Sequence, residues 1–151
     1  MEDKGITDEL IQELSTNILL VLNITEPEEP DNPTSAQEAE YQVELNKYTR
    51  TIQLLNLYIN AICNNILIKT NRKTFIDDLK YIVIDLVVDK YNNNIKSVEK
   101  DINSVQSMSE AGRSVNFGVS SVLQNKLNLL AKKQIEENES LINKYKLLYK
   151  A

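Results

Sequence analysis

The chain has 151 residues and 17.3 kDa, enough to bury one sizeable core without disulfides or metal. It holds no histidine, no tryptophan and one cysteine, which excludes imidazole catalysis, internal disulfides and cysteine-rich zinc sites; three glycines and three prolines are too few for a loop-rich all-β protein. Residues 1–45 carry twelve carboxylates and one lysine, net −11, whereas residues 46–151 carry sixteen cations and ten carboxylates, net +6, so an acidic arm is joined to a mildly basic body.

In chain order, Thr7 is placed to cap a helix that runs to Asn23, with Asp8 and Glu9 in its first turn, where carboxylates suit the helix dipole. Leu10, Leu14, Ile18 and Leu22 recur every fourth residue as its apolar stripe. All three prolines then fall between Glu26 and Pro33 among four acids, which reads as an extended, exposed connector and the clearest boundary in the chain. Ser35 with Glu38 forms the pattern of a capping box. Beyond it, Tyr41, Leu45, Tyr48, Ile52, Leu55, Ile59, Ile62 and Ile66 step by four and three, predicting one long helix from Ala36 to Lys69. At 1.5 Å per residue such a helix is roughly 50 Å long. Leu54, Leu57, Tyr58 and Ala61 widen its apolar side, so more than one helix is expected against it, while Gln53, Asn56, Asn60 and Asn64 mark the wetter face.

After a polar break at residues 70–73, Thr74 with Asp77 is expected to cap a third helix bearing Leu79, Ile82, Val83, Leu86 and Val87. The run Tyr81–Val88 is β-branched enough to suit a buried strand, but its cap and helical spacing favour the helix, ending near residues 91–94. Val105–Gly118 (VQSMSEAGRSVNFG) alternates small polar and apolar residues about Gly112, which reads as a short β-hairpin or an extended projecting loop. Ser121 opens a helix through Leu127, Leu130 and Ala131, and a further helical stretch runs from Ile135 to Tyr149, with residues 138–140 as a candidate break. The expected fold is all-α: a small helical bundle with a long central helix and a short β-hairpin or extended loop before the C-terminal helices. Its parts are an N-terminal helix (1–24), an acidic proline-rich linker (25–34), core helices (35–104), the hairpin or loop (105–118) and C-terminal docking helices (119–151).

Chemistry-bearing constellations are sparse. With three scattered glycines there is no phosphate-cradling loop, and the serines near residues 107–121 have no base to activate them. Asp85 and Asp89 share a helix face, as solvated carboxylates commonly do, and Cys63 sits among apolar residues as a buried thiol would. Lysines occur beside tyrosines at Lys144-Tyr145-Lys146 and Tyr149-Lys150, a pairing that can stack on bases but more often anchors a protein interface. No catalytic residue, cofactor or metal site is expected.

The Val105–Gly118 segment, through Ser107, Ser109, Glu110, Gly112, Ser114, Val115, Phe117 and Gly118, resembles the head–tail connector (adaptor) proteins of tailed bacteriophages. The C-terminal run, through Leu141, Tyr145, Lys146 and Leu148, is similar to the ending of the same family. The acidic proline stretch and the long helix after it depart from the family pattern. The resemblance implies a non-enzymatic virion structural protein: a homo-oligomeric ring, twelve-fold in the family, that docks on the portal, extends the DNA exit channel and receives tail or tail-completion proteins. DNA would pass through without sequence-specific contact, and no membrane is involved. It further implies that Leu141, Tyr145, Lys146, Leu148 and Tyr149 grip the portal or a neighbouring subunit. The loop residues Ser107, Ser109, Glu110, Gly112, Arg113, Ser114, Val115 and Phe117 would face the channel or an adjacent subunit.

Two other classes fit the residues. A small nucleic-acid-binding packaging or regulatory factor would gather its basic residues on one face and bind less tightly as salt rises. A coiled-coil-like interaction protein would use the four-three stepping of Tyr41–Ile66 to form a small dimer. The opening MEDKGITDEL lacks the apolar core of a secretory signal, and no apolar run approaches the roughly 20 residues that span a bilayer. The expected location is therefore inside the producing cell, and on the connector reading the virion's head–tail junction.

Overall fold

The computed structural model describes residues 5–95 and 121–147. They form an all-α fold of four main helices: α1 (Asp8–Leu22), α2 (Ser35–Thr70), α3 (Asp77–Lys90) and α4 (Ser121–Glu137). A π-helical turn at Tyr91–Ile95 follows α3, and α4 is followed by a four-residue helix, α5 (Glu139–Ile142), and a 3-10 turn (Asn143–Tyr145). Among the described residues there is no strand, and the hairpin or loop expected at residues 105–118 lies outside them.

The 36-residue α2 is the element on which the others are assembled: α1, α3 and α4 all pack on it, and α1 also packs on α3. Burial on α2 begins at Thr51 and continues through Leu54, Leu55, Tyr58, Ile59, Ile62 and Ile66, whereas its first four turns contain no fully buried residue. The four-three stepping thus marks a packed face only over its second half. Tyr41, Leu45, Tyr48 and Ile52 are half-buried. An 18-residue stretch of α2 has a mean hydropathy of 1.2, apolar enough to cross a membrane by length and composition, but half of it is buried against the other helices, as befits a core helix.

Several boundaries differ from expectation for local reasons. The capping box sits one residue earlier, on Thr34 and Gln37: Thr34 Oγ1 accepts from the Gln37 amide at 3.2 Å and Gln37 Oε1 accepts from the Thr34 amide at 2.9 Å. Thr74 does not cap α3. Phe75 and Ile76 tuck their side chains against the core, so the helix starts at Asp77 with Ile76 as an apolar N-cap lacking a side-chain bond. The strand alternative for Tyr81–Val88 is not adopted. Leu79, Ile82, Val83, Leu86 and Val87 are buried at helical spacing, with Tyr81, Asp85 and Asp89 exposed opposite. The proline connector is not wholly exposed, because Pro27 and Pro30 are half-buried beside Tyr41 on the first turns of α2.

Asparagine takes over a task usually given to glycine. The three described non-glycine residues with positive φ are Asn23 (58°), Asn32 (46°) and Asn71 (57°). Asn23 and Asn71 end α1 and α2 in the left-handed conformation. Their N–H groups bond to Leu20 O and Ile68 O, and the next residues, Ile24 and Arg72, bond to Leu19 O and Leu67 O. The short polar side chain of asparagine tolerates this region better than other non-glycine residues do, and the chain has only three glycines. One of them, Gly5, is fixed by space: a Cβ there would run into the Lys73 carbonyl oxygen and lie 2.6 Å from Leu67 Cδ1.

Asn23→Ala should therefore destabilise the protein by about 1 kcal/mol, whereas Asn23→Gly should be neutral or stabilising. Urea unfolding followed by circular dichroism checks the difference; equal losses for both would show that backbone conformation is not what asparagine supplies there.

Candidate functional site

At the centre of the bundle lies a polar relay built from three helices. Tyr58 on α2 is fully buried, and its hydroxyl donates to Gln134 Oε1 on α4. Gln134, also buried, donates through Nε2 to the Leu86 carbonyl on α3 at 2.6 Å. A buried hydroxyl or amide without a partner is costly, so the relay fixes the register of all three helices. Burial, reinforced by the charges of Asp89 and Glu137, raises the Tyr58 pKa above that of ordinary tyrosine, so the hydroxyl stays protonated and donating. Sequence reading placed Tyr58 in the core but missed Gln134. The available signal was its position, three residues after Ala131 and seven after Leu127 on the apolar stripe of α4.

Cys63 is buried, as expected, and desolvation pushes its thiol up to about 12. The relay and the thiol are structural. Among the described residues no group of three potential metal ligands gathers. Asp85 and Asp89 are both exposed, and the Asn93 amide donates to the Asp89 carboxylate at 3.2 Å.

The second feature is a clasp at the C-terminal end of α2. The Leu147 N–H donates to the Thr70 carbonyl at 2.8 Å, Asn71 Nδ2 donates to the Leu147 carbonyl at 3.2 Å, and Arg72 Nε donates to the Tyr145 carbonyl at 2.8 Å. Lys69 Nζ bonds Glu139 Oε1 at 2.8 Å on the adjoining turn, and this bond holds the Glu139 carboxyl below its ordinary pKa. The candidate break at residues 138–140 falls at Asn138, between α4 and α5, but the helical stretch expected to run on to Tyr149 ends early. The helix stops at Ile142 because α2's C-terminal groups bind the backbone of residues 145–147, and Lys146 is extended.

The expected site residues separate accordingly. Leu141 is 40% exposed on α5, Lys146 is exposed, and Tyr145 is half-buried against the core. Leu148, Tyr149 and the loop residues Ser107 to Phe117 lie outside the described residues. The basic cluster Lys69/Arg72/Lys73 is largely committed within the chain, since Lys69 and Arg72 both hold the clasp. No signal in the sequence paired residues 70–72 with 145–147, which are more than seventy positions apart. No family model, curated protein or solved structure matches this chain.

Tyr58→Phe and Gln134→Leu each leave a buried partner unsatisfied and should each cost about 1–3 kcal/mol, while the double variant should cost clearly less than the sum. Additive losses in a double-mutant cycle would show that the relay does not act as one unit. The thiol gives a second check. Because its pKa is higher folded than unfolded, its deprotonation favours the unfolded chain. Its contribution to stability is present below pH 9, its ordinary range, and is lost as pH rises through about 12. A thiol reagent at pH 8 should leave Cys63 unlabelled in the native protein and label it fully in urea; rapid native labelling would contradict its burial.

Proposed function

We propose that this chain is a non-catalytic assembly protein, a head–tail connector that joins a ring on a portal and extends the DNA channel toward the tail. The observation that carries the reading in the described part is the clasped end of α2. It holds Leu141 and Lys146 exposed at one end of the bundle, where Ile68 is 76% exposed as well. A rigid end that presents apolar groups beside a cation suits docking rather than turnover. The similarity of the Val105–Gly118 and Leu141–Leu148 segments to connector proteins gives the docking its identity. On this reading residues 105–118 form a short hairpin or projecting loop toward the channel or an adjacent subunit. The acidic N-terminal segment, residues 1–45, stays clear of the DNA, which like charge would repel. The portal grip is carried by Leu141, Lys146, Leu148 and Tyr149, with Tyr145 anchoring it from within.

The tagged protein, drawn from a lysate of the phage-producing host, should bring down a portal or tail-completion protein. Leu141→Ser with Lys146→Glu should lose that partner at least tenfold while helicity is unchanged, because both side chains are exposed. Recovery of nucleic acid alone, released by salt, would replace this reading with that of a packaging factor. Undiminished portal recovery by the double variant would move the grip elsewhere.

A further inference from the structure

α1 and α3 form a seam whose outer side is apolar and exposed. Gly5, ahead of α1, lies against Lys73, ahead of α3, and Glu13 on α1 pairs with Lys80 on α3 at 3.1 Å. The two helices therefore run side by side in the same direction, with Glu13 level with Lys80. Over the next two turns Asn17 comes level with Ile84, and Leu20 and Val21 with Val88. The opposite side of α1, with Ile11, Ser15 and Leu19, is turned toward α2. On the outward face of α3, Tyr81, Ile84 and Val88 step by three and four, across the helix from buried Leu79, Val83 and Leu86. Leu20 is 73% exposed, Val21 60% and Tyr81 70%, while Ile84 and Val88 are half-buried.

The charges that border this seam are set by the same helical spacing. Asp78, Asp85 and Asp89, seven and four apart, are exposed along the side of the Tyr81–Val88 stripe away from α1. Asp78 and Asp85 have no ion-pair or hydrogen-bond partner among the described residues, and the Asp89 carboxylate accepts from Asn93. On the α1 side, Lys80 is held by both Glu13 and Asp77, at 3.1 and 3.3 Å. The border is thus five carboxylates against one lysine, net −4. Nucleic acid and anionic lipid would meet like charge there. A second copy of the same seam would bring carboxylates against carboxylates. The backbone on both sides is helical, so it offers no edge to an added strand. A helix whose apolar stripe is flanked by lysine or arginine satisfies both the stripe and its border.

We propose that the α1–α3 seam docks a cationic amphipathic helix of a partner protein. The apolar residues of that helix lie along Tyr81, Ile84 and Val88 and reach Leu20 and Val21, and its cations meet Asp78, Asp85 and Asp89. The seam runs away from the clasped end of the bundle, because Gly5 and Lys73, where it begins, adjoin Leu67 near the end of α2. The two surfaces can hold different partners at once, and the inference does not rest on the portal reading.

Fluorescence anisotropy on the full chain tests this with a labelled leucine–lysine peptide that forms an amphipathic helix, its leucines on one face and its lysines on both flanks. Wild type should bind this peptide, less tightly as salt rises. Leu20→Ser with Tyr81→Ser should weaken binding roughly tenfold or more, because both side chains are exposed on the seam. Asp85→Asn with Asp89→Asn should weaken it by roughly tenfold in low salt and little in high salt. Glu28→Gln with Glu29→Gln removes the same charge from the exposed connector and should change nothing. The same peptide reordered so that leucine and lysine no longer separate into faces should bind far more weakly. Helicity should be unchanged in every variant. Absence of wild-type binding in low salt would overturn the proposal. So would equal losses in the seam and connector variants, or equal binding of the reordered peptide, since either would reduce the effect to net charge. Self-association of wild type abolished by Leu20→Ser with Tyr81→Ser would give the seam to a second copy and overturn it as well. Portal capture is read at Leu141 and Lys146, outside the seam, so the two readings fail separately.

Discussion

The constraint on which the structure depends is the buried hydroxyl in the middle of its longest helix. Tyr58 places a polar group where α2 is fully covered, and a single side chain, Gln134, satisfies it while also bonding α3. An apolar stripe alone would let three helices slide along one another at modest cost, because leucine and isoleucine contacts are interchangeable. The relay removes that freedom. With α2, α3 and α4 in register, the C-terminal end of α2 meets residues 145–147, and the clasp through Thr70, Asn71 and Arg72 can close. α1 completes the core through Leu10, Leu14 and Ile18, and the pairing of Lys80 with Glu13 at 3.1 Å links α3 to it.

α2 also gives the molecule two unlike ends. Its first four turns stand beyond the buried core beside the acidic connector, whereas its last turns pack against α4, α5 and the clasp. A bundle whose long helix is largely bare at one end and clasped at the other presents two dissimilar surfaces.

Most of the helical frame was legible in the sequence because it rests on periodicity and caps. Thr7 caps α1 as its position implies, and the stepping of isoleucines and leucines gives α2 to within a residue at each end. What was not legible rests on contacts distant in the chain. The cap at Thr74 failed because Phe75 and Ile76 find better burial in the core than a first helical turn would allow. The break at residues 138–140 was legible, but the helical stretch toward Tyr149 ends at Ile142 because α2's end binds the backbone beyond it, an interaction that no local pattern encodes. The sequence holds eighteen asparagines, but their use at left-handed helix ends became clear only from the backbone angles. At the proposed portal grip, the residue types were read from sequence, while the division between anchoring Tyr145 and exposed Leu141 and Lys146 came from burial.

The proposed function is one of place, the junction where a portal meets a tail. Gold-labelled antibody against the protein, applied to purified virions from the producing host and imaged by electron microscopy, tests it most directly. The account predicts label at the junction of head and tail, on tailless heads that carry their neck as well as on complete particles. Protein absent from purified particles, or distributed over the capsid or along the tail, would contradict it.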